Sequence, residues 1–156
     1  MLDPRVRRPA DKEDLISKLA GDSAEAGFSS MRDLFVFAAA LGKVESRYVP
    51  FSEVYGDAIR LELFQRDGTH ELLINVIAVL EHPEDPEILR EDRVAERIEI
   101  FEGYVNGGLE LIQAHLNSHR LVREDDALNM LVQRRISARK SEQEVNLAQF
   151  ADDLGL

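Results

Sequence analysis

Residues 96–112, ERIEIFEGYVNGGLELI, decide how this chain folds. Ile98, Phe101, Val105, Leu109 and Ile112 recur every three or four residues, the spacing that lines one side of an α-helix, and Val94 and Leu116 extend the row outward. Asn106-Gly107-Gly108 sits in its middle, although two glycines in a helix interior cost about 2 kcal/mol relative to alanine. Since the apolar row keeps its phase across the glycines, the spacing predicts one helix from about Asp92 to Ser118, straight or gently bent. Gly107 and Gly108 are then packing positions that admit a neighbouring backbone.

Other segments supply that neighbour. MRDLFVFAAALG, Met31 to Gly42, is apolar almost all round after Asp33, so it reads as a central helix capped by Ser29 or Ser30 and stopped by Gly42. Its lack of polar side chains argues against a recognition helix, which must hydrogen-bond to base edges and phosphates. Thr69 caps a second apolar helix, His70 to Glu81, ended by His82-Pro83. Asp11 to Ala20 and Asp125 to Ala138 read as amphipathic helices. Ile59-Arg60-Leu61-Glu62-Leu63 alternates as a half-buried strand does, and residues 57–64 read equally as strand or short helix. The expected fold is a mostly α, compact single-domain helical bundle with a small β-hairpin near residues 47–64. A flexible basic arm is expected at 1–10, the helical domain at 11–139, and a polar tail or docked terminal helix at 140–156.

With 156 residues, 44% of them hydrophobic and 31% charged, the composition is that of a globular domain. There is no cysteine, so thiolate metal sites and disulfides are excluded, as suits a reducing cytoplasm. The N-terminal residues carry no apolar run of the kind that leads secretion, and no apolar stretch suggests a membrane span. A net charge of -11 repels a phosphate backbone unless basic residues gather on one surface. Two clusters could do so: Arg5, Arg7 and Arg8, and Arg134, Arg135, Arg139 and Lys140. Each is a candidate contact for nucleic acid or an acidic partner.

Signals for catalysis are weak. His115 and His119 stand four apart, a spacing that can share a metal, but no HExxH pattern or cysteine supports them. His82 lies beside Glu81 and Glu84, an acid/base arrangement more simply explained as loop structure. Glu96, Glu99 and Glu102 form an acidic row that Arg93 and Arg97 would neutralise in surface pairs. No phosphate-binding glycine loop and no nucleophile elbow is present. The residues therefore predict no enzyme, no cofactor and no metal.

Several segments in the same order, namely MRDLFVFAAALG, RYVPF, IRLELF, LLINVIAVLEHPEDPEIL and RIEIFEGYVNGGLELI, together resemble the small proteins encoded with bacterial DNA phosphorothioation (dnd) systems, of the type-four kind. The resemblance covers about half the chain and implies a cytoplasmic bacterial accessory protein in a defence system that replaces a phosphate oxygen of host DNA with sulfur and restricts unmarked DNA. It implies protein partners from the modification or restriction complex and maps no catalytic residue. The rival expectation is a DNA-binding regulator acting through the basic clusters.

Overall fold

A computed structural model describes residues 3–21, 26–118 and 124–153. The chain is mostly helical, as expected, and divides into two compact units, Met1–Ala114 and His115–Leu156. The described elements are β1 (Arg5–Val6), α1 (Glu13–Leu19), α2 (Met31–Val44), β2 (Ile59–Arg60), α3 (Leu61–Gln65), α4 (Gly68–Glu81), α5 (Val94–Ser118) and α6 (Glu124–Asp153), with 3-10 turns at Ala10–Lys12, Pro86–Leu89 and Glu91–Arg93.

In the first unit, α2 and α4 lie side by side in the same direction: Asp33 meets His70 at their N-terminal ends, and Lys43 meets Glu81 at the other. α5 crosses α2 with residues 104 and 108 against Gly42 and Ala38. The interior is filled by fully buried Leu34, Phe35, Phe64, Phe101, Leu109 and Ile112, with the Phe64 and Phe101 rings edge to face at 5.8 Å. Ser30 caps α2 by accepting from the Asp33 N–H at 3.1 Å and donating to the Asp33 carboxylate at 2.8 Å, so both partners close the helix end. Gly42 does not stop this helix. It lies inside α2 because the α5 backbone leaves no room for a side chain there, and the chain turns only at Ser46, where φ is 54°. α4 likewise starts earlier than expected, since Asp67 rather than Thr69 is its N-cap and accepts from the Thr69 N–H at 2.9 Å.

Strand and helix both occur in residues 57–64: Ile59–Arg60 is extended and Leu61–Gln65 is helical. The strand's partner does not lie within residues 47–64, as the expected hairpin requires, but at the N-terminus, with Arg5 opposite Arg60 and Val6 opposite Ile59 in an antiparallel pair. The expectation of a loose arm at 1–10 is corrected over residues 4–10. Pro4 O accepts from Leu61 N at 2.9 Å, Arg8 O from Tyr55 N at 3.1 Å, and Ala10 N donates to Glu53 O at 3.0 Å. Val6 is completely buried, which fixes the segment by apolar burial as well as by the ladder.

In the second unit, α6 runs unbroken from Glu124 to Asp153, past the boundary expected near residue 139. No glycine or proline interrupts that span, so nothing in the backbone ends the helix at Lys140. Leu128 is buried, and residues 133–142 are exposed.

Candidate partner and nucleic-acid contacts

The glycine-rich face of α5 is the most closely fitted part of the first unit. A Cβ at Gly107 would overlap the carbonyl of Arg47, one at Gly108 the carbonyl of Ala38, and one at Gly103 the ring of Tyr48. Gly103 and Gly107 are one turn apart, so they present a single flat strip on which residues 47–49 lie. The strip also supplies hydrogen bonds. Val49 N donates to Gly103 O at 3.0 Å, and the Asn106 side chain donates to Val49 O at 3.1 Å. The extended residue before Pro50 is thus held at both backbone groups by a helix, in the manner of a strand neighbour. Gly107 and Gly108 are packing positions, as the phase of the apolar row implies; Gly103 and Gly42 belong to the same crossing.

Arg5, Arg7 and Arg8, nominated as partner or nucleic-acid contacts, are all engaged within the fold. Arg7 binds Glu102 with two guanidinium nitrogens, at 3.0 Å and 2.7 Å to Oε2, while its backbone N–H donates to Oε1 at 2.6 Å. Glu102 is only 3% exposed, so this is the charge that its burial requires. The hydrogen bonding to Glu102, against the opposing effect of burial, raises the Arg7 pKa above its ordinary value. Arg7 also stacks over Phe51, Arg8 pairs with Glu13 at 2.9 Å and stacks over Tyr55, and Arg5 pairs with Asp3 at 2.8 Å. The acidic row on α5 is correspondingly divided. Glu96 pairs with Arg93 and Glu102 with Arg7, whereas Arg97 leaves the row altogether: buried, it donates to the carbonyls of Ile88 and Arg90, both at 2.7 Å. Arg134, Arg135, Arg139 and Lys140 lie together on α6, each with an exposed side chain.

Two polar clusters escaped the sequence reading. At the paired N-terminal ends of α2 and α4, His70 Nε2 is 3.0 Å from Asp33 Oδ1, with Ser29, Ser30, Arg32, Arg66 and Asp67 around the same hollow. Hydrogen bonding from Ser29, helped by Ser30 and His70 and opposed by burial, holds the Asp33 carboxyl below its usual range. At the other ends, Lys43 and the Tyr104 hydroxyl both donate to Glu81 Oε2, at 2.7 Å and 2.6 Å. These bonds hold Glu81 below the usual carboxylate range, while burial and the bond to Glu81 raise Tyr104. Partners 23 and 38 residues away leave no local signal in the sequence. His82, considered as an acid/base, ends α4 by donating its backbone N–H to Ala78 O at 3.0 Å and accepting from Asp85 N at 3.0 Å. Of the two histidines weighed as a metal pair, His115 lies on α5 and His119 lies outside the described residues. Among the described residues, no three His, Cys, Asp or Glu side chains gather so as to hold a metal ion, and no helix is long and apolar enough to cross a membrane.

Fold and surface together define a small, mostly helical domain whose N-terminal arginines are committed to its own ion pairs. The chain belongs to the family described as DNA sulphur modification system-associated protein 4, whose model matches residues 5–150. No curated protein and no solved structure matches it.

Proposed function

We propose that this chain is a non-enzymatic accessory subunit that acts by docking proteins of a DNA sulphur modification system, in the cytoplasm of a bacterium that uses the modification for defence and restriction. Family membership supplies the system. The observation that favours docking over DNA contact is the internal commitment of Arg7 and Arg8: bound to Glu102 and Glu13, they tie the N-terminal segment to the domain, while Arg5 pairs with Asp3 in the same segment. Releasing them to phosphates would leave Glu102 buried and unpaired, which opposes DNA binding at that face. The test is affinity purification of the tagged chain co-expressed with the modification and restriction proteins encoded beside it. One or more of them is expected to co-elute in fixed ratio; a chain that elutes alone against every one of them overturns the reading.

The exposed Arg134, Arg135, Arg139 and Lys140 favour a second reading, in which α6 contacts DNA directly. It predicts a mobility shift at low salt that weakens steeply with added salt and is lost when these four are changed to alanine. No shift at low salt removes it.

A further inference from the structure

We propose that the outer face of α4 is the docking site for an amphipathic helix of a partner protein whose apolar side is flanked by lysine or arginine; this rests on the docking role proposed above. α4 buries His70, Ile74, Ile77 and Ala78 on its inner side. At 100° per residue, Leu72, Val76, Val79 and Leu80 fall together on the opposite side, within a wedge of about 100°. They are 61%, 40%, 38% and 57% exposed. Leu89, in the 3-10 turn packed against α4, is also exposed. Single exposed aliphatic residues are ordinary, but a contiguous row is the mark of an interaction face. Its spacing of i, i+4, i+7 and i+8 is the one by which a helix receives the side chains of another helix.

Charge selects the occupant. The strip runs into the C-terminal end of α4, where the helix dipole is negative and the last turn carries no basic residue of its own, Glu81 being paired with Lys43 of α2. In the sequence that follows, Glu84, Glu87 and Glu91 are exposed, with Arg90 shared between Glu87 and Asp92 and Arg93 between Asp85 and Glu96. A second copy would bring the same acid-ended strip on a chain of net charge -11, and anionic lipid headgroups would be repelled in the same way. A helix with basic residues beside its apolar row satisfies both the strip and its acidic end.

The chain lacks cysteine, so Val76→Cys offers one attachment point, in the middle of the strip, for a benzophenone maleimide. The labelled chain is illuminated in complex with whichever protein co-purifies with the unlabelled chain. The expected adduct joins Val76→Cys to a partner segment with helical apolar spacing and adjoining lysine or arginine. Leu72→Glu with Leu80→Glu is expected to weaken the complex about a hundredfold, and Glu84→Lys, Glu87→Lys and Glu91→Lys together about tenfold with a shallower salt dependence. Circular dichroism matching the wild type separates lost binding from lost fold, and Val79→Lys serves if the double leucine variant unfolds. An adduct to a second copy, an adduct to an acidic or non-helical segment, or unchanged affinity in the strip variants overturns the proposal while leaving the docking role standing. Failure of every system protein to co-purify overturns both.

Discussion

A single added methyl group tests the crossing of α2 and α5. Alanine at Gly108 gains about 1 kcal/mol of helix propensity, yet its Cβ would meet the Ala38 carbonyl, a backbone atom that can move only if two helices separate. Gly108→Ala is therefore expected to destabilise by about 3 kcal/mol net, read as a lower urea midpoint at unchanged slope. Gly68, the first residue of α4, has nothing within 4 Å of the same position, so Gly68→Ala is expected to be neutral or stabilising by up to about 1 kcal/mol. Equal effects at the two glycines would contradict the close crossing. At this scale the sequence was informative about Gly107 and Gly108, because an apolar row that keeps phase across them leaves packing as their only use. It was silent about Gly42, whose place near a helix end reads as a stop, and about Asp33–His70, whose pairing depends on which helix lies beside which.

Among elements, the N-terminal ribbon shows how a long-range ion pair can order a segment that composition alone would leave loose. Arg7→Ala removes a two-pronged bond to the nearly buried Glu102 and is expected to cost about 1–3 kcal/mol, with faster amide exchange at Val6 and Ile59. Unchanged exchange at these residues would mean that burial of Val6 alone holds the ribbon. Helix existence and type were legible for α2, α4 and α5, whose apolar rows are long and in phase. The partner of β2 was not, since two residues of alternation do not say which of several extended segments they join. The length of α6 was legible only in the negative sense that no breaker occurs before Asp153; the polar composition of its second half drew the boundary too early.

For the molecule as a whole, the Lys43–Glu81–Tyr104 cluster contributes to the pH profile beside Asp33, Asp85 and Glu96, which are lowered as Glu81 is. Glu81 has a lowered pKa in the folded state, so its contribution is present above the ordinary carboxylate range and is lost as pH falls through the lowered value. Tyr104 and Lys43 are raised, so theirs is present below their ordinary range and is lost as pH rises through the raised values. Glu81→Gln is expected to flatten the acid limb of stability against pH; an acid limb unchanged by Glu81→Gln would contradict the assignment. Function was legible at the level of the family, through the order of its segments, whereas no residue chemistry names a partner. The central claim, that the chain works by stable contact with the modification machinery, is tested most directly by native mass spectrometry of the chain mixed with the purified proteins of that system. The predicted result is a discrete added mass corresponding to whole copies of this chain, retained at physiological salt; spectra containing only the free chain and the unaltered proteins would contradict it.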